Sequence, residues 1–342
     1  MVTGKLFLHI GMHKTGSSSI QFSLNGFENE SIRYAKLGFE NHSIPIYTAF
    51  SENYLNYHIW KRQGLSDENI IRKKEELLQI IRKELRHLKD IIISGEDISA
   101  LAEKELMSLK KEIVDAGKDV SVIAYVRDPA SYLKSEFSER VKNGMNDLFI
   151  LNYKDRFKKV FDVFGENSVN LRLFRPDSLK GGDVVKDFYD ILKLPEAPNL
   201  PKKNTSLSVE AISMIYILNQ IVSSTDPSKR VRKAKKDCLD LFREFFSNGQ
   251  MINHEIFLCS SIKEGDIWMK KYVDIDISHN KYENYDQSFL NFQNYLDDIA
   301  EKASFELMDY SKKSLGLTFS GDIDAKKHIL KIFLFFYGKK LF

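Results

Sequence analysis

The chain has 342 residues, enough for one large domain or one domain with an extension. Apolar residues make up 43% and charged residues 29%, an ordinary globular composition, and the 51 Lys and Arg against 48 Asp and Glu leave a balance of +3 that does not suggest a general nucleic-acid binder. The two cysteines, Cys238 and Cys259, fit neither a metal spacing nor a disulfide framework and read as reduced thiols of a cytoplasmic protein. Lys5–Ile10 reads as a buried strand, followed by a Gly/Ser turn and a helix over Ser19–Phe27. Asn41–Gly64 is aromatic and irregular and is expected to be loop-rich. Asp67–Lys89 is an amphipathic helix with Ile70, Ile71, Leu77, Leu78, Ile81 and Leu85 inward. Ile91–Ile93 is a short strand, Leu101–Ala116 a helix capped by Gly117, and Val120–Val126 a strand. Arg127-Asp-Pro129 opens the next helix, Asn170–Phe174 is a strand and Val184–Leu192 a helix. Pro195–Pro201 is a Pro-rich linker, and the chain beyond Leu207 reads as mostly helical.

Strands alternating with helices define an α/β fold with a mainly parallel sheet covered by helices. Ligands of such sheets bind beyond the carboxyl ends of the strands. The Gly/Ser turn, Ser94–Asp97 and Arg127 all fall at those ends. The expected division is a core over residues 1–220 and a helical extension over residues 221–342. Met1–Ile10 lacks the build of a signal peptide, and no stretch has the apolar length of a membrane span. Ile329–Phe342 is apolar, too short to span, and suited to lying on a bilayer surface. Lys229–Lys236 carries six basic residues, read as a solvated helix face ahead of a binding patch.

Gly11-Met-His-Lys-Thr-Gly-Ser-Ser18 lies between a strand and a helix, and Gly11 and Gly16 have the spacing of a nucleotide phosphate loop. Backbone N–H groups and a helix N-terminus make an anion site, and glycine lets the backbone approach closely. An ATPase loop of this kind places Lys and then Ser or Thr after the second glycine. Here Ser17 and Ser18 follow it and the lysine is inside the loop as Lys14.

The run from His9 to Gln21 resembles the 5′-phosphosulfate loop of sulfotransferases that use 3′-phosphoadenosine-5′-phosphosulfate (PAPS), especially the bacterial carbohydrate-modifying ones. Tyr125–Phe137 is similar to that family's 3′-phosphate motif, with Arg127 at a strand end, Pro129 two residues on and Ser135 eight residues after the arginine. Phe137 stands where the family usually has Tyr. The resemblance spans residues 5–220 and implies a P-loop-like parallel sheet flanked by helices with a helical C-terminal portion. It implies that His13, Lys14, Thr15, Gly16, Ser17, Ser18 and Ser19, with Arg127 and Ser135, hold the donor, and that Lys14 neutralises the bridging oxygen as the sulfonate departs. The segment Pro201–Ser208 resembles a basic loop of the bacterial members, which adds Lys203 and Asn204 as donor contacts and Ser206 as a further one; a helix N-cap is the competing reading for Ser206 and Ser208. Glu96 is the expected base, with Asp97 and His13 as alternatives; a capping carboxylate competes for Glu96 and Asp97 alike. His9 reads as a core-facing strand residue.

The expected activity is transfer of a sulfonate from PAPS to a hydroxyl of a carbohydrate or glycolipid, without a metal and with adenosine 3′,5′-bisphosphate as second product. Two rivals stand beside it: a P-loop kinase of a small molecule or sugar, and a non-catalytic nucleotide-binding adaptor of a glycan assembly complex.

Overall fold

The computed structural model describes residues 4–200, 206–222, 228–273, 281–282 and 284–338. In chain order the elements are β1 (Gly4–His9), α1 (Ser17–Leu24), β2 (Ile32–Tyr34), α2 (Ser43–Phe50), α3 (His58–Gln63), α4 (Asp67–Leu85), β3 (Asp90–Ser94), α5 (Glu103–Asp115), β4 (Lys118–Val126), α6 (Pro129–Lys142), α7 (Tyr153–Phe164), β5 (Val169–Leu173) and α8 (Val184–Ile191). Helices α9 (Val209–Ile221), α10 (Lys229–Phe245), α11 (Ser260–Met269), α12 (Tyr285–Leu315) and α13 (Ala325–Gly338) follow. The chain divides into two compact units, one of Met1–Asp128, Leu151–Pro201 and Gly265–Ile277, the other of Pro129–Ile150, Lys202–Glu264 and Ser278–Phe342.

The first unit is α/β. Its five strands form one all-parallel sheet in the order β2-β3-β1-β4-β5. Ile91–Ser94 of β3 and Val122–Val126 of β4 are buried without alternation, as expected of strands with helices on both faces. β1 lies between β3 and β4, so Leu6 and Leu8 are fully buried. The helices start where polar side chains satisfy their first N–H groups: Ser66 caps α4, Asn152 caps α7, and Asp183 accepts from the N–H groups of Val185 and Lys186.

Two sequence expectations need correction here. The stretch Asn41–Gly64 is not mainly loop, because α2 and α3 lie within it. α2 buries Ser43, Pro45, Ile46, Thr48, Ala49 and Phe50, so it is enclosed on most sides and shows no amphipathic period. On α4, Ile70, Leu77, Ile81 and Leu85 are buried, but Ile71 faces solvent at 43% exposure.

Among the described residues, the regular elements of the second unit are helices. α9 runs through its middle with Val209 and every residue from Ala211 to Leu218 buried. α10, α12 and α13 all pack on it, and Phe137 of α6 joins Phe257 and Phe292 in the same core. His328 of α13 is buried between two hydroxyls of α12, with Nδ1 2.7 Å from Ser304 Oγ and Nε2 2.8 Å from Ser311 Oγ. Burial pushes that imidazole down to about 4, so it is neutral at ordinary pH and donates through one nitrogen only.

Candidate functional site

The chain stays on the sheet after β1. Ile10 N–H donates to the Ile123 carbonyl at 2.9 Å and Met12 N–H to the Tyr125 carbonyl at 3.1 Å, which fixes the root of the Gly/Ser loop on β4. Gly11 lets the loop root pack closely, since a Cβ there would lie 3.0 Å from His9 Nε2 and 3.3 Å from the Tyr125 backbone nitrogen and would press on both. Lys14 and Gly16 then take the left-handed conformation, with φ of 66° and 79°. That conformation is uncommon for a lysine and tends to be kept at functional positions. Between them Thr15 is fully buried and its hydroxyl donates to the Met12 carbonyl at 2.6 Å, so this side chain shapes the loop from inside. The Gly16 carbonyl accepts from Ser19 and Ile20 and opens α1. α1 has no side-chain cap and no acidic residue in its first turn, so the positive end of its dipole meets no carboxylate of its own. Ser17 Oγ is buried without a hydrogen-bond partner, while Ser18 and Ser19 are exposed.

Glu96 and Asp97 follow β3, the neighbour of β1 on the side away from β4. Gly95 N–H donates to the His9 carbonyl at 2.9 Å and Asp97 N–H to Ser43 Oγ at 3.1 Å, so the turn is anchored to β1 and α2. The loop's own histidine reaches both carboxylates: His13 Nδ1 is 3.3 Å from Glu96 Oε1 and Nε2 is 3.0 Å from Asp97 Oδ1. With an acceptor oxygen at each nitrogen, both nitrogens must carry protons. Hydrogen bonds to Asp97 and then to Glu96 accordingly raise the His13 pKa to about 9. Asp97 receives a second bond from Tyr57 Oη at 2.7 Å on Oδ2. Burial pushes the Asp97 carboxyl up, but the bonds and charge of His13 and the Tyr57 hydroxyl outweigh it and hold the carboxyl below its usual range. Glu96 differs: its Oε2 is buried with no hydrogen-bond partner. Beneath it, Ser99 Oγ donates to the Glu96 carbonyl at 2.7 Å and accepts from Arg156 Nε at 2.9 Å.

Arg127 immediately follows β4, on the other side of β1. Its backbone N–H contacts Met12 Sδ at 3.3 Å, and its carbonyl accepts from Tyr153 Oη at 2.8 Å. The guanidinium lies 5.1 Å over the Phe174 ring and, among the described residues, forms no ion pair. Burial lowers its pKa, though an arginine stays charged.

The structure thus joins His13, Glu96 and Asp97 directly and ties Arg127 to the root of the same loop. Ser135 sits on α6, in the second unit, half-buried; Phe137, two residues on, is fully buried in that unit's core. Lys203 and Asn204 lie outside the described residues. Ser208 is the N-cap of α9, accepting from Ala211 N–H at 3.3 Å, while Ser206 is exposed and caps no helix. His9 is fully buried with Nδ1 2.8 Å from Ser94 Oγ, as a core-facing residue should be. Tyr57 and Arg156 were missed at the sequence level. Tyr57 is 40 residues from Asp97 and stands in the stretch read as loop, so no local pattern announces it.

Among the described residues, no group of three or more His, Cys, Asp or Glu side chains is arranged to hold a metal ion, and no helix is long and apolar enough to cross a membrane. Comparison with protein-family models, curated proteins and solved structures finds no match to this chain.

Proposed function

We propose that this protein is a PAPS-dependent sulfotransferase with a P-loop-like nucleotide fold, acting in the cytoplasm on a hydroxyl of a carbohydrate or glycolipid. One observation carries the reading: a loop with Lys14 inside it opens an uncapped helix, and a half-buried arginine that, among the described residues, forms no ion pair stands one strand away. The two features suit a ligand with anionic groups at two separate places, as a 5′-phosphosulfate and a 3′-phosphate are. β1 is the strand from which the chain turns to β2 and β3 on one side while β4 and β5 lie on the other, the reversal beside which such sheets bind ligands.

In this reading Gly16, Ser17 and Ser18 offer backbone N–H groups to the 5′-phosphosulfate, with the Ser17, Ser18 and Ser19 hydroxyls at hand, and Arg127 holds the 3′-phosphate. Ser135, Lys203 and Asn204 remain proposed donor contacts. The acceptor oxygen attacks sulfur in line as the bond from sulfur to the 5′-phosphate oxygen breaks. The acceptor's proton passes to the Glu96 carboxylate, and the charge left on the bridging oxygen faces Lys14. His13, carrying both protons, is not the base; it holds Glu96 by Oε1.

The shared glycine spacing keeps a kinase as second reading, with Glu96 and Asp97 as magnesium ligands; retained partner binding without turnover would favour the adaptor. Thermal melting with adenosine 3′,5′-bisphosphate and with ATP and magnesium separates the readings. At a hundred times its dissociation constant a ligand adds about 2.7 kcal/mol. The bisphosphate should give the larger shift; an equal or larger shift with ATP and magnesium overturns the proposal.

A further inference from the structure

The eight residues Lys229–Lys236 contain six cations and no acid. They form the first half of α10, whose inner side is set by Val231, Ala234, Cys238 and Phe242, all buried. At helical spacing, Lys229, Arg232 and Lys236 fall on the opposite side, and all are exposed. Lys233 is neutralised by Asp237 at 2.7 Å and Arg243 by Asp240 at 3.0 Å. Among the described residues Lys229, Arg232 and Lys236 form no ion pair. A solvated face needs no such segregation of sign.

α13 is the neighbour of α10, and both pack on α9. The apolar character of α13 is largely used inward, with Ile329 and Ile332 fully buried and Phe333 at 6% exposure. Its outer side carries Lys326, Lys327, Leu330 and Leu334, and the two leucines are 39% and 52% exposed. Arg230 joins the ends of the two helices: its Nε donates to the Tyr337 carbonyl at 2.6 Å and its guanidinium lies 4.4 Å over the Tyr337 ring. The start of α10 therefore meets the end of α13, and the helices run antiparallel. α10 and α13 pack on each other as well as on α9, and the exposed sides that carry Lys229, Arg232 and Lys236 on α10 and Leu330 and Leu334 on α13 both point away from that shared packing.

We propose that this α10–α13 surface docks on an anionic lipid bilayer. Lysine and arginine near such a surface are each worth about a fivefold gain in binding, and apolar side chains add to it by entering the boundary between headgroups and acyl chains. A nucleic acid would use the cations but not the leucines. The inference concerns the helical unit alone and holds whether or not the sulfotransferase reading does. If both hold, the docking brings the enzyme to lipid-linked glycans.

The test is co-sedimentation of the full chain with vesicles of phosphatidylcholine, with and without phosphatidylglycerol, at low and high salt. Binding should require phosphatidylglycerol and weaken with salt. Replacing Lys229, Arg232 and Lys236 together by Gln should weaken it about 100-fold, and Leu330→Ser with Leu334→Ser should weaken it at unchanged salt dependence. Absence of binding by the unaltered protein, equal binding to vesicles of phosphatidylcholine alone, wild-type binding by the triple variant, or tighter binding to an RNA oligonucleotide than to the anionic vesicles would each overturn the proposal.

Discussion

The imidazole of His13 and the carboxylate of Asp97 meet at 3.0 Å, linking the loop after β1 to the turn after β3. Glu96 takes the other ring nitrogen, so the link is ionic and needs both imidazole protons. In the unfolded chain His13 returns to its ordinary pKa of 6.5, whereas in the fold it is near 9. The folded state therefore holds the proton more tightly. The stabilisation is complete below about pH 6.5, shrinks as pH rises, and is gone above about pH 9. Melting temperature should fall more steeply across this window for the unaltered protein than for His13→Gln. Parallel curves would show that the ring is not held as an imidazolium.

Glu96 and Asp97 are neighbours in the chain with different surroundings. Asp97 has a partner on each oxygen, whereas Glu96 Oε2 has none. Glu96→Gln should cut turnover by about 10²–10⁴-fold with adenosine 3′,5′-bisphosphate affinity nearly unchanged. Asp97→Asn should cost far less turnover but lower the melting temperature, because it weakens the contacts from His13 and Tyr57. Steady-state rates and melting curves of the two variants give the comparison; the reverse pattern would make Asp97 the base.

Lys14 and Arg127 should separate chemistry from binding. Lys14→Ala should lower kcat, since its charge is assigned to the leaving oxygen. Arg127→Ala should raise the donor KM about 10–100-fold, the worth of a charged hydrogen bond to a phosphate, with a smaller effect on kcat. Kinetics with varied PAPS decide it, and an unchanged donor KM in Arg127→Ala removes the arginine from the site.

Gly95 governs how closely the turn after β3 approaches α2. A Cβ there would collide with the backbone of His42 and Ser43, the His42 carbonyl carbon lying at 2.8 Å. Neither backbone can rotate away, so Gly95→Ala should destabilise by about 3 kcal/mol or more. Gly26, with φ of 76° and nothing near its missing Cβ, is the comparison. Gly26→Ala should cost only the left-handed backbone term of about 1–2 kcal/mol. Urea unfolding of both variants measures the difference.

The elements that carry the site were largely readable from the sequence. β1, β3 and β4 are apolar runs bounded by polar turns, and the glycine spacing of the loop is local. What escaped was set by contacts distant in the chain. β2 is three residues long with a buried charge in its centre, Arg33, whose ion pairs with Glu28 and Glu84 make it tolerable there. α7 was missed although Phe157, Val160, Phe161 and Phe164 form a regular inner side, because Lys and Asp interrupt it at every turn. Glu96, Asp97 and His13 could each be picked out as candidate bases. That they form one cluster, with the imidazole clasped by both carboxylates, depends on β1 and β3 being neighbours, which no window of residues encodes.

The threading of the chain has a consequence for biosynthesis. The α/β unit takes its last piece, Gly265–Ile277, after nearly all of α9–α11 has been made. That piece brings Trp268 against Phe157, with Tyr272 stacked on Phe161 at 4.5 Å between ring centres. Until it leaves the ribosome, Phe157 and Phe161 of α7 lack the ring contacts of Trp268 and Tyr272. The unit is thus finished by a late segment, and a nascent chain stalled before residue 265 would present those rings to chaperones. Trp268 gains its ring contacts only at that moment, which makes its fluorescence a reporter of the closing of that unit.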